Sequence, residues 1–146
     1  MTTEDRLSAD KWLDQLETDA ALRVMLDSQA EAISALRTAL PQITAAAHAL
    51  HTRLASSDAG RLAYIGAGTS ARIGVQDGAE LLPTFGWPDR RTAFIIAGGE
   101  TALLQPVENA EDDELAAQAD IARLTLGPDD CVIGLAASGS TPFTCS

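Results

Sequence analysis

Apolar positions in the first third of the chain recur three and four residues apart. Trp12, Leu13, Leu16 and Ala20 share one face, and Ser8 offers an N-cap for a helix running to about Leu26. A second stripe holds Ile33, Leu36, Leu40, Ile43, Ala47, Leu50 and Leu54, and predicts helix from about Ser28 to Ser56. Pro41 falls inside that stripe and predicts a kink, or a break with Pro41 in the first turn of a new helix. Such a stripe suits packing against a sheet or a coiled-coil-like dimer. Residues 1–8 read as a loose tail.

The period changes after the loop "SSDAG". Three short apolar runs, "RLAYIG", "RTAFIIAGG" and "DCVIGLAASGS", predict buried strands. Between them, "GTSARIGVQDGAELL" predicts a helix with Ile73, Val75 and Leu81 as its apolar positions, and "PTFGWPD" a loop. "ENAEDDELAAQADIARLTLG" predicts another helix, with Leu115, Ala119, Ile121 and Leu124 as core positions and Gly127-Pro128 as its stop. Alternating strands and helices give the fold class: α/β, a parallel sheet with flanking helices and right-handed crossovers. All three strands run into Gly- or Ser-rich turns. Ligands of such sheets bind at the carboxyl ends of the strands, so these turns form the candidate site.

Charge and composition narrow the partners. A net charge of −11 with no basic stripe argues against nucleic acid. No apolar run approaches the ~20 residues of a membrane span. The polar start is unlike a signal peptide, and two cysteines support no disulfide framework, which points to the cytoplasm. Cys131 reads as a buried core thiol, and neither it nor Cys145 fits a metal or redox spacing. His48 and His51 read as polar-face residues of a helix rather than metal ligands.

The chemistry concentrates in the turns. "GAGTSA" offers two of three dinucleotide-fingerprint glycines, but the next strand ends in "IIAGGE", with glycines where the ribose-binding acid should stand. Walker A is excluded, because the only lysine is Lys11. A phosphate monoester fits better. Gly68, Thr69 and Ser70 stand where a helix begins, and Ser138, Gly139, Ser140 and Thr141 repeat the hydroxyl-rich chemistry at the third strand's end. Arg72 suits a phosphate contact or a surface ion pair. Against a ligand stands helix capping by Thr69 and Ser138, with the glycines serving tight turns.

Three stretches, "GAGTSARIGVQDGAELLPTFG", "FIIAGGETALLQPVENAEDD" and "VIGLAASGSTPF", together resemble signature segments of the N-acetylmuramic acid 6-phosphate etherases. That family belongs to the SIS (sugar isomerase) superfamily and is related to the glucokinase regulatory protein. The resemblance implies a cytoplasmic homodimer with no metal or organic cofactor, acting on a phosphorylated amino sugar in cell-wall recycling. It implies loss of the D-lactyl ether by elimination and water addition, giving N-acetylglucosamine 6-phosphate and D-lactate. Glu80 in "QDGAE" matches the family's acid for the departing ether oxygen. Glu111 in "ENAEDD" matches its base at C2, in a context where the family has Gly-Ala-Glu-Asp. The two carboxyls must then hold opposite protonation states. Without the resemblance, Glu111 beside Asp112 and Asp113 would simply complement a helix dipole.

The match has gaps. Ala71 stands at a family Gly, Ala79 at a Ser before the presumed acid, and Ser140 at an Arg. The family's N-terminal signature is not recognisable. The resemblance also implies further strands and helices after Ser146, so residues 1–57 read as an N-terminal helical segment packing on a SIS domain, and 58–146 as the first half of that domain. Two other functions remain compatible: a non-catalytic sugar-phosphate-binding regulator, and a SIS-type sugar-phosphate isomerase.

Overall fold

The computed structural model describes residues 12–146, so the tail and the Ser8 cap lie outside the described residues. The chain divides into two units, Met1–Ala49 and Leu50–Ser146. A 3-10 turn at Leu13–Gln15 precedes one long helix, α1 (Thr18–Ala55). The break expected near residue 27 is absent, and Pro41, where a kink or a break was expected, lies inside one continuous helix. A proline here removes one hydrogen bond and costs ~3 kcal/mol. A 38-residue helix rich in Ala and Leu spreads that cost over many intact turns. Ile33, Leu36, Leu40 and Ile43 of the stripe are exposed.

The second unit is built on three parallel strands, β1 (Leu62–Gly66), β2 (Thr92–Ile96) and β3 (Cys131–Leu135), in the order β2-β1-β3. Leu62 pairs in register with Thr92 on one side and Cys131 on the other. Side chains alternate across the sheet. Tyr64 and Phe94 stack on one face, with ring centroids 5.8 Å apart, beneath α2 (Gly68–Ala79). Ile65 and Ile95 point to the other face, where they form the core with Ala117 of α5 (Glu114–Leu124) and Phe143 of α6 (Pro142–Cys145). Cys131 is buried as expected. Two short helices complete the pattern: α3 (Leu81–Phe85) carries helix past Leu82 into the segment read as loop, and α4 (Thr101–Leu104) lies between the second strand and the next predicted helix.

The core face of α5 differs from the expected one. Asp113 caps the helix, its carboxylate accepting from the Ala116 N–H at 2.9 Å, and this fixes the helix's phase. Ala117 is then fully buried, with Ile121 and Leu124 packed beside it, whereas Leu115 is 77% exposed and Ala119 exposed. A close helix–sheet contact selects the small side chain over the leucine.

Two arginines tie the ends of the elements together. Arg91 is buried and donates to the carbonyls of Leu54, Ser57 and Gly60 at 2.7, 2.8 and 2.6 Å, while stacking 4.1 Å from the Trp87 ring. It thereby caps the carboxyl end of α1, where a cation is favoured. Arg61 clasps Asp130 at 2.7 Å and also donates to the Leu124 carbonyl, joining β1, β3 and the end of α5. The guanidinium, with further bonds from the Gly127 and Arg61 amides, holds the Asp130 carboxyl well below the usual carboxylate range.

A carboxylate whose folded pKa is depressed stabilises the fold above its unfolded pKa, and that contribution fades as pH falls towards the folded value. Asp130→Asn should therefore cost about 2 kcal/mol at pH 7. The gap from wild type should narrow below pH 3.8, the ordinary carboxylate value. Urea titrations across this range measure it.

Candidate functional site

The site begins where β1 hands over to α2. Gly74 and Gly78 let α2 lie against the sheet: a Cβ at Gly78 would stand 2.6 Å from the Phe94 ring, and one at Gly74 would collide with Leu135. The Tyr64 hydroxyl donates to Asp77 at 2.7 Å, and burial together with that carboxylate pushes the phenol above its ordinary range. At the other end of α2, Gly68 is left-handed at φ 55°, a conformation that suits glycine. The N-cap is Ala67, and no side chain caps the helix. Thr69 is therefore not the capping residue, and the first-turn N–H groups face outward without a side-chain acceptor.

The second wall follows β2. Gly98 and Gly99 turn the chain with φ of 80° and 67°, and α4 follows. In a longer helix the Ala102 carbonyl would accept from residue 106, but Pro106 has no N–H. Arg72 supplies the missing donors: its Nε and Nη2 reach the Ala102 oxygen at 3.1 and 2.9 Å. Beyond Pro106, Val107 packs on Gly98, where a Cβ would lie 2.8 Å from it. Asn109 then adopts φ 59°, left-handed, and leads into the 3-10 turn Ala110–Asp112 that carries Glu111. Asparagine and glycine tolerate this conformation best, which fits the Gly-Ala-Glu-Asp context that Asn109 replaces.

These walls enclose a cavity of about 220 Å³. Gly68, Thr69, Arg72, Ala102, Asn109 and Glu111 line it. The fold thus unites a free helix N-terminus, a hydroxyl, a guanidinium and a carboxylate from segments forty residues apart in the chain. Glu111 is not the helix-dipole partner of α5, because Asp113 fills that place.

Other expected site residues stand elsewhere. Ser70 is partly buried on α2 and does not line the cavity. Ser138, Gly139, Ser140 and Thr141 form their own turn at the end of β3. The Ser138 Oγ lies 3.4 Å from Thr141 Oγ1 and accepts from the Ser140 N–H at 3.1 Å, and Gly139 is left-handed at φ 69°. Glu80 caps the far end of α2, exposed and off the cavity. The Ala102 carbonyl and Asn109 were not anticipated. The proline four residues after Ala102 was the available signal for the first.

A parallel sheet with helices on both faces and a cavity at the strands' carboxyl ends defines the class as a SIS-type α/β domain. The chain belongs to the family of glucokinase regulatory protein N-terminal SIS domains, whose model matches residues 43–146. Relatives named N-acetylmuramic acid 6-phosphate etherase share close sequence similarity. The protein from Deinococcus radiodurans is 50% identical over 131 residues, spanning 90% of this chain and 42% of its own. Those from Edwardsiella ictaluri and Rubrobacter xylanophilus are 46% and 42% identical, across 98% and 99% of this chain and 47% of theirs. The chain thus spans less than half the length of these relatives.

Arg72→Lys keeps the charge but loses the two-donor geometry. Amide hydrogens of residues 103–111 should then exchange about tenfold faster or more, while those of β1 keep their protection. Hydrogen-exchange mass spectrometry reads both.

Proposed function

We propose that the domain serves an etherase acting on N-acetylmuramic acid 6-phosphate, with the sugar phosphate bound at the carboxyl ends of β1 and β2. The observation that carries this reading is Glu111 sharing one cavity with Gly68 and Thr69 at the uncapped start of α2. Helix N-terminal N–H groups favour a phosphate, and the Thr69 hydroxyl and Arg72 add donors. The phosphate would be gripped locally, against a net charge of −11. Ser70 and the turn Ser138–Thr141 would complete the grip from the neighbouring strand end once substrate is in place.

In the open-chain sugar the C1 aldehyde acidifies the proton at C2. The Glu111 carboxylate removes it as general base, and the lactyl ether oxygen leaves from C3 with a proton from the Glu80 carboxyl. Water then adds to the unsaturated aldehyde, giving N-acetylglucosamine 6-phosphate and D-lactate. Proton transfer and elimination are completed by side chains, without a metal or organic cofactor. The whole protein would work as a cytoplasmic homodimer in cell-wall recycling.

A second reading has its own support. A sugar-phosphate-binding regulator needs the cavity and no acid, and Glu80 lies off the cavity in a single chain.

The test is proton NMR in deuterated water with N-acetylmuramic acid 6-phosphate. The etherase reading expects deuterium at C2 and free D-lactate. Glu111→Gln should slow both by about a hundredfold or more, while product affinity by calorimetry stays within a few-fold. Binding without exchange would select the regulator, and ketose formation an isomerase.

A further inference from the structure

The cavity at the ends of β1 and β2 has two chemically different walls. Donors come from α2: the N–H groups of its uncapped first turn, the Thr69 hydroxyl and the Arg72 guanidinium. The segment after β2 brings carboxylates, Glu111 and also Glu108. A carboxylate accepts hydrogen bonds and cannot donate them. The phosphate grip uses the first wall and the general base belongs to the second, which leaves Glu108 without a task.

The neighbours of Glu108 hold its backbone in place. Val107 before it packs on Gly98, and Asn109 after it turns the chain left-handed at φ 59°. The carboxylate itself is uncommitted: among the described residues it has no hydrogen bond or ion pair. Arg72 lines the same cavity but is engaged with the Ala102 carbonyl at 2.9 and 3.1 Å. Asp77, Asp113 and Asp130, by contrast, each hold a partner within 2.9 Å. A fixed backbone and a free acceptor suit a ligand that brings donors of its own.

A sugar phosphate is two-sided in the same sense. Its phosphate oxygens accept, while its hydroxyls and acetamide N–H donate. We propose that Glu108 recognises the sugar: its carboxylate accepts from the hydroxyl and amide N–H donors of an amino-sugar phosphate and confines the phosphate to α2. The second effect is repulsion, since a pair of carboxylates disfavours an anion on the segment after β2. Together the two effects set the direction of the ligand, phosphate toward α2 and C2 toward Glu111. Glu111 then keeps its lone pairs for the C2 proton. This role of Glu108 rests on the sugar-phosphate reading of the cavity.

Calorimetry on the full chain tests it, with N-acetylglucosamine 6-phosphate, glucose 6-phosphate and inorganic phosphate as probes. Glu108→Gln keeps the shape of the side chain, removes its charge, and falls at an exposed position. Affinity for N-acetylglucosamine 6-phosphate should drop about tenfold or more, the size of a charge-assisted hydrogen bond. Inorganic phosphate should bind as well as before, or tighter. Glu111→Gln should leave the preference for sugar phosphate over phosphate within a few-fold of wild type. An equal loss for glucose 6-phosphate assigns the bond to hydroxyls, and a loss confined to the N-acetyl sugar assigns it to the amide N–H. An unchanged preference in Glu108→Gln overturns the proposal. So does an equal loss for sugar phosphate and inorganic phosphate, which is general damage to the cavity. A variant with wild-type affinity that has lost D-lactate release also overturns it, because Glu108 would then be handing over a proton. A wild type that binds no sugar phosphate defeats the sugar-phosphate reading and this role together. A wild type that binds, loses its preference in Glu108→Gln and shows no C2 exchange defeats only the etherase chemistry.

Discussion

Helix α2 rests directly on β1 because glycines remove the side chains that would hold the two apart. Gly74 faces Leu135 and Tyr64, and Gly78 faces the rings of Phe94 and Tyr64. Any Cβ at these places would press on groups already packed against the sheet. The Tyr64–Asp77 hydrogen bond then fixes the helix along its length. Everything the site needs follows from this contact. It sets the uncapped N-terminus of α2 at the carboxyl end of the central strand, and it aims Arg72 at α4.

Arg72 carries the constraint onward. A buried carbonyl without a partner is costly, and Pro106 leaves the Ala102 oxygen in that position. The guanidinium satisfies it with two donors and so registers the segment after β2 against the helix after β1. Glu111 stands at the end of that segment, past the Val107–Gly98 contact and the left-handed Asn109. The carboxylate is thereby positioned by a chain of backbone constraints and not by a direct ion pair.

The same rigidity separates the two glutamates. A straight helix cannot bring its own ends together, so the contact that places Gly68 and Thr69 at the cavity also sends Glu80 away from it.

Local chemistry in the sequence determined the strands, their alternation with helices, and the Gly- and Ser-rich turns at the strands' carboxyl ends, because buried runs and glycine turns are short-range signals. Shared motifs singled out Glu111 and the β1–α2 turn as candidates, and both line one cavity. Tertiary structure decided what depends on phase and distance. Pro41 sits inside α1 because a long helix outlasts one missing bond, and the capping of α5 by Asp113 turned Ala117 inward and Leu115 outward. Glu80 stands only ten residues after Ser70 in the chain, yet it lies off the cavity that Gly68 and Thr69 line. Those ten residues are helix, and a helix converts short sequence separation into a fixed distance.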